Sequence, residues 1–296
     1  MLEIGEKIPV LDHGYIVLRS IMGDDAGIAN AARISYDKAG EYGDEDDERL
    51  IRFLMRHKHT SPFEMAEMMF EIKLPIFVMR QWIRHRTANV NEMSARYTEL
   101  PDEMFIPEPS TMAQQSKSNK QGRSHKPYEP HQTHAMRRDM KRANRYSYDI
   151  YEDLMGGYDL SREMARSVLP LGTYTKCVWK IDLHNLLHFL KLRTDEHAQY
   201  EIRVYAEEIE TFVRSYFPIT YRAWVDYVKD SYTLSRHELK FLQEMIRIYS
   251  WQGMMTPERA NANMQSNENY LIECLTKREL EEFNATVLKE MKRGDS

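Results

Sequence analysis

Fourteen consecutive residues, RHRTANVNEMSARY from Arg84 to Tyr97, carry three arginines, a histidine, a glutamate, two asparagines and a serine. Cations held this close repel one another unless an anion sits among them. On a helix Arg84 and Arg86 would stand about 200° apart, too far round to share one surface salt bridge. A guanidinium is a two-point fork for phosphate, and each charge-assisted hydrogen bond is worth about 1.5–3 kcal/mol net. Ser94 and Arg96 add a hydroxyl and another fork, while Asn91 and Glu92 suit a sugar hydroxyl or a base edge. The bland alternative is a charged helix end running into a polar loop. The density of donors favours a site for phosphate-bearing small molecules.

Other chemistries find little support. There is no Walker-type glycine loop, no G-x-G-x-x-G and no G-x-S-x-G elbow. Cys177 falls on the inward phase of a strand and Cys274 among helical apolar residues, where thiols are usually buried and inert. His184 and His188 stand at i, i+4 but lack the glutamate of H-E-x-x-H, so no metal is expected. His57 and His59 lie beyond a helix end and suit its last carbonyls. Lys117, Lys120, Arg123 and Lys126, followed by Arg137 and Arg138, could mark a nucleic-acid surface. The near absence of interleaved aromatics favours a solvated insertion instead.

Composition bounds the rest. The chain has 296 residues and is 42% hydrophobic, enough for one or two cores. Lys plus Arg against Asp plus Glu gives 41 − 46 = −5, which does not suit a general polyanion binder. Two distant cysteines suit a reducing compartment. The start MLEIGEKIPVLDHGY does not read as a signal peptide, so none is expected, and no segment approaches the roughly 20 apolar residues that cross a bilayer. These features predict a soluble, cytoplasmic protein without nucleic-acid or membrane partners.

Elements must position the Arg84–Tyr97 run. Residues 24–35 predict a helix capped by Asp24, and 46–57 a second with Leu50, Phe53, Leu54 and His57 on one face. Met68, Phe70, Ile72 and Leu74 alternate with charged residues, predicting a half-buried strand over 67–75 that Pro75 ends. A helix over 76–86 should follow, with its arginines toward its C-terminal end. Residues 108–132 are polar, without apolar period, and predict a long loop or insertion dispensable for folding. A long helix then carries Met136, Met140, Ala143, Ile150 and Leu154 inward and closes at Gly156–Gly157. A second strand is predicted over 175–182, with Cys177, Trp179 and Ile181 inward, then a helix capped by Asp182. Residues 195–217 read as one amphipathic helix with Ala198, Ile202, Tyr205, Ile209 and Phe212 inward. More helix follows, with a capping box at Thr276 and Glu279. The whole is α+β, mostly helical with a small mixed or antiparallel sheet.

The run RHRTANVNEMS resembles the Arg-His-Arg, seven residues, Ser signature of the flavin-dependent (alternative) thymidylate synthases, with Thr87–Met93 as the seven and Ser94 as the serine. HTSPFE (59–64), PIFVMRQWIRHR (75–86), SREMARSVLP (161–170) and LLHFLKLRTDEHAQYEIR (186–203) are similar to that family's blocks, in the same order. The resemblance spans roughly residues 10 to 230. It implies a family domain over 1–235, with an insertion at about 108–132, and a helical extension of unknown role over 236–296. It also implies a homotetramer whose active sites are shared between subunits.

The activity implied is reductive methylation of dUMP to dTMP, with 5,10-methylenetetrahydrofolate as carbon donor and NADPH-reduced FAD as hydride source. No cysteine nucleophile is needed. By the same resemblance Gln81, Arg84, Glu92, Ser94, Ala95, Arg96, Arg166 and Arg193 would contact dUMP. Ser61, Arg84, His85, Arg86, Glu92, Asp182, His184 and His188 would hold FAD. Arg193 would be catalytic, activating the uracil; its alternative is a salt bridge to Asp195 or Glu196. A nucleic-acid-binding protein using 117–145, or another nucleotide flavoenzyme, are the competing readings. Net charge disfavours the former and the number of matching blocks the latter.

Overall fold

The computed structural model describes residues 3–37, 43–117 and 122–242. The chain forms two compact units, Met1–Asp230 and Ser231–Ser296. Of the second, residues 231–242 are described and 236–242 are helical. Cys274, Thr276 and Glu279 lie outside the described residues.

The first unit begins with two strands, β1 (Lys7–Val10) and β2 (Gly14–Met22), then helices α1 (Asp25–Ile34) and α2 (Asp44–Arg56). A 3-10 turn at Ser61–Met65 leads into β3 (Glu67–Pro75), α3 (Ile76–Trp82) and β4 (Asn89–Glu92). A hairpin, β5 (Ala113–Gln115) with β6 (Arg123–Pro127), precedes the long α4 (Pro130–Gly156) and the short α5 (Arg162–Ala165). Then come β7 (Tyr174–Asp182), α6 (Leu183–Arg193), α7 (Tyr200–Tyr216) and α8 (Pro218–Trp224). Every described pairing is antiparallel, and the main sheet runs β1-β2-β3-β7-β4.

The two strands expected from alternation form the sheet's centre, with Glu67 opposite Asp182 and Pro75 opposite Tyr174. Met68, Phe70, Ile72 and Leu74 are fully buried, as are Trp179 and, nearly, Cys177 and Ile181. Each such side chain contributes about 1.5–3 kcal/mol on burial, which fixes the register because a one-residue slip would turn the whole set outward. Helices α6 and α7 cover this face through Leu186, Phe189, Ile202, Tyr205 and Phe212. At Gly14 no side chain fits: a Cβ would stand 1.9 Å from the Tyr205 hydroxyl, which donates to the Lys73 carbonyl.

Five expectations need correction. On α2 the buried face is Asp47, Ile51 and Leu54, while Phe53 is exposed and lies against His57 at 4.4 Å. Helix α3 ends at Trp82, so Arg84 and Arg86 lie past it and their helical separation has no meaning. Residues 108–132 are not a plain loop, since they hold the β5–β6 hairpin and the start of α4. Helix α4 forms as expected but buries only Thr133 and Tyr151; Met140 and Ala143 are exposed. Helix α7 starts at Tyr200, after a turn in which Asp195 takes the backbone N–H of His197, and Ala198 precedes it.

Candidate active site

The Arg84–Arg86 run is held from behind. Trp82, the last residue of α3, is fully buried against Trp179 and Phe189, with ring centroids 5.1 and 4.7 Å away. That anchor fixes where the chain leaves the helix. Arg84 and Arg86 then emerge exposed, and among the described residues neither side chain has a partner. Two unpaired guanidinium groups flanking one histidine are a poor arrangement for an isolated chain and a good one for a polyphosphate.

His85 turns inward. Its ring packs 4.8 Å from Phe189 and 6.2 Å from His188. Burial, followed by the charges of Arg193 and His188, pushes its pKa down to about 4. The imidazole is therefore neutral near pH 7. Arg193 Nε donates to His85 Nε2 at 3.0 Å, which leaves the ring proton on Nδ1. Arg193 closes α6 and is half-buried, and burial lowers its pKa as well. Its expected alternative partners do not take it. Asp195 binds His197 instead, and Glu196 makes no ion pair with it. With Nε committed to His85, the two terminal nitrogens of Arg193 form a fork without a protein partner among the described residues.

The second half of the run lies on β4, a sheet edge. Glu92 accepts from Thr175 Oγ1 at 2.8 Å, and Met93 N–H donates to the Lys176 carbonyl at 2.8 Å. Past the strand the chain turns on itself: the N–H groups of Tyr97 and Thr98 reach the Ser94 carbonyl, and Arg96 N–H reaches Ser94 Oγ at 3.2 Å. Glu92, Ser94, Ala95 and Arg166 line a cavity of about 370 Å³ whose other walls include Leu169 and Leu171. Arg166 Nε donates to the Glu163 carbonyl at 3.2 Å, and its charge has no carboxylate partner among the described residues. Arg96 does have one, pairing with Glu163 at 2.8 Å.

A larger cleft, about 1300 Å³, is lined by Gln81 and Arg193 together with the β5–β6 hairpin, residues 196–200 and Arg203. Six of the eight residues expected to meet one nucleotide thus divide, Glu92, Ser94, Ala95 and Arg166 to one cavity, Gln81 and Arg193 to the other, while Arg84 and Arg96 line neither. Of those expected to hold flavin, Ser61, His85, Asp182, His184 and His188 lie on or against α6, while Glu92 lies on β4 in the smaller cavity. Ser61 opens the 3-10 turn packed against that helix, and His184 and His188 lie along it. Asp182 is spent on capping, its two oxygens taking the Asn185 N–H and side-chain amide at 2.9 and 2.8 Å. No group of three His, Cys, Asp or Glu side chains suited to a metal ion occurs among the described residues.

A family model described as thymidylate synthase complementing protein matches residues 17–219. The flavin-dependent thymidylate synthase of Wolbachia pipientis wMel is 49% identical over 242 residues, 82% of this chain and 84% of that one. The chain belongs to the flavin-dependent thymidylate synthase family. The synthase of Rickettsia prowazekii (strain Madrid E) is 46% identical over 264 residues, covering 84% of this chain and 90% of that one. Among solved structures, a UMP/dUMP methylase, PolB, from Streptomyces cacaoi, bound with 5-Br dUMP, superposes with a TM-score of 0.68 at 30% identity. It covers 75% of this chain and 99% of that one.

This family member also carries residues at the site that sequence reasoning passed over. Thr175, read as an ordinary strand position, orients Glu92. Arg123, read as part of a solvated insertion, pairs with Glu201, whose side chain is 2% exposed. Gln199, read as part of a helix, bonds both Gln81 and Glu201. Nothing local marks Arg123, which lies 78 positions from its partner. The Gln-x-Glu spacing at 199–201 was the one visible trace.

Cys177 stands opposite Glu92 in the β4–β7 pairing and is 2% exposed. Burial first, and the Glu92 charge second, push its thiol up to about 12. It has no path to act as a nucleophile at pH 7.

Proposed function

We propose that the chain catalyses reductive methylation of dUMP to dTMP, taking a methylene unit from 5,10-methylenetetrahydrofolate. The reading is supported by the family, by the methylase solved with 5-Br dUMP, and by the site's own chemistry. One observation carries it: Arg193, held at Nε by a neutral His85, offers a preorganised two-nitrogen fork inside a cleft. Carbon 5 of uracil is a weak nucleophile. A fork on the N3/O2 edge stabilises negative charge on the ring and so raises electron density at carbon 5. The new carbon–carbon bond forms there, the carbon 5 proton leaves, both methylene–nitrogen bonds of the folate break to release tetrahydrofolate, and a hydride brings the transferred carbon to the methyl level. FAD, reduced by NADPH, supplies that hydride when bound.

The chain's own groups would divide the remaining tasks. Arg166 and the Ser94 hydroxyl suit the nucleotide phosphate, with Arg96, Ala95 and Gln81 completing its contacts. Glu92, braced by Thr175, suits a sugar hydroxyl. Ser61, Arg84, His85, Arg86, Asp182, His184 and His188 would hold FAD; the unpaired Arg84 and Arg86 fit its two phosphates. The buried, protonated thiol of Cys177 suits a route without cysteine addition.

We further assign the work to residues 1–235 of a cytoplasmic homotetramer in which two subunits share each site. Two observations support sharing: the nucleotide residues divide between two cavities, and α4 leaves Met140, Ala143 and Tyr146 exposed along a 27-residue helix. A helical face with exposed apolar residues and no cover among the described residues suits another copy. The test is a visible spectrum of the purified full chain, then NADPH oxidation with and without dUMP and folate, with dTMP measured. Flavin absorbance and dUMP-dependent dTMP are expected. A colourless protein that takes up no flavin on titration would overturn the reading.

A further inference from the structure

A line of side chains joins the hairpin to the nucleotide residues. Arg123, on β6, pairs with Glu201 and also donates to the Thr111 carbonyl at 2.9 Å. Glu201 is 1% exposed and stands in the first turn of α7. Its other oxygen accepts from Gln199 Nε2 at 2.8 Å. Gln199 Oε1 in turn accepts from Gln81 Nε2. Gln81 and Gln199 both line the large cleft beside Arg193.

The direction of each bond follows from the one before. A carboxylate offers only acceptors, so Gln199 must turn its NH₂ toward Glu201. Its carbonyl oxygen then faces Gln81, and only the NH₂ of Gln81 can meet it. One N–H of Gln81 is consumed, and its second N–H and its carbonyl oxygen remain for a ligand. An amide free to flip would present oxygen and nitrogen interchangeably. This one cannot flip without facing oxygen to oxygen. The hairpin sets the start of the line, because Arg123 compensates the buried charge from which the order runs.

We propose that Gln199, Glu201 and Arg123 are positioning residues for the nucleotide site, acting through Gln81 to fix which of its amide atoms meets the substrate. The proposal rests on the reading that Gln81 contacts dUMP. Gain in affinity comes from preorganisation rather than from a new contact. It also gives the 108–132 segment a task.

The test is a double-substitution cycle in the full-length, FAD-loaded protein, read as dUMP affinity by titration calorimetry. Gln81→Met and Gln199→Met keep side-chain length and remove the amide. Each is expected to weaken dUMP binding about tenfold, and the double variant no more than either alone. Flavin absorbance and thermal midpoint should stay near those of the parent. If Gln81→Met weakens binding and Gln199→Met does not, or the losses multiply, the relay is overturned while the reading of Gln81 stands. If neither weakens binding, that reading falls and the relay with it. Glu201→Gln should match Gln199→Met in dUMP affinity; a variant that melts earlier yet binds dUMP normally removes the carboxylate from the line.

Discussion

The two cavities are built by opposite means. Around Glu92, Ser94 and Arg166, backbone bonds do most of the placing: the β4–β7 ladder, the Met93 bond to Lys176 and the turn closed on the Ser94 carbonyl. Around Gln81 and Arg193, side chains place other side chains, with His85 gripping Arg193 and Gln199 gripping Gln81. A site set by backbone tolerates substitution of its neighbours. A site set by side chains transmits each substitution to the next residue. The second cavity is therefore the one where small changes should have large effects.

Arg193→Lys is the sharpest way to break the contrast. Lysine keeps the charge but loses the planar fork. The variant should stay folded and yellow and bind dUMP within about tenfold, while methylation falls at least about a hundredfold, as removing one preorganised donor commonly does. Single-turnover dTMP formation measures it, and near-normal turnover would return Arg193 to an ordinary surface role.

Arg166→Ala and Arg193→Ala damage different cavities. Each alone should be nearly inactive. If the cavities meet across subunits, mixing the two variants under conditions of subunit exchange should restore roughly a quarter of parental activity, because random pairing leaves that share of sites intact. No recovery, with exchange verified by mass, would place both cavities in service of one chain.

Acid should act on the second cavity first. A histidine whose folded pKa lies near 4, against 6.5 when free, takes its proton earlier in the unfolded chain. Stability from neutral His85 is thus complete above about pH 6.5 and is lost as pH falls toward 4. The ring is only half-buried, so solvent screening limits the effect to roughly 1 kcal/mol, or about 2–4 °C in the thermal midpoint. Melts at pH 7.5 and 5.0 should show a steeper loss for the parent than for His85→Gln, in which other titrating groups remain the same.

The smallest effect is expected at Cys177→Ser. Apart from some stability lost by burying a hydroxyl, dTMP formation should be unchanged in the folded fraction. A folded variant that binds FAD and dUMP yet forms no dTMP would contradict a thiol-free route.

What the sequence made legible follows the same division. Strands β3 and β7 could be read because each buries one face, and alternation records that directly. The Asp24 and Asp182 caps could be read because a cap is local. The outward face of α4 could not, since Met140 and Ala143 keep the spacing of a buried face without a neighbour among the described residues. The hairpin hid in polar composition, its strands carrying no apolar alternation. At the site, Arg84, His85, Ser94 and Arg166 were visible in sequence blocks. The division of the nucleotide residues between two cavities was not, because it depends on where α3 stops and on partners far along the chain.

The place of Cys177 under the sheet reaches beyond catalysis. A thiol with a pKa of about 12 is ionised in only about one molecule in 10⁵ at pH 7, and peroxide and maleimides react with the thiolate. Lying 2% exposed on β7, opposite Glu92 of β4, it offers such reagents neither charge nor approach. Poisons that silence enzymes by capping a working cysteine find no target at this position, and an oxidising environment meets no reactive sulfur there.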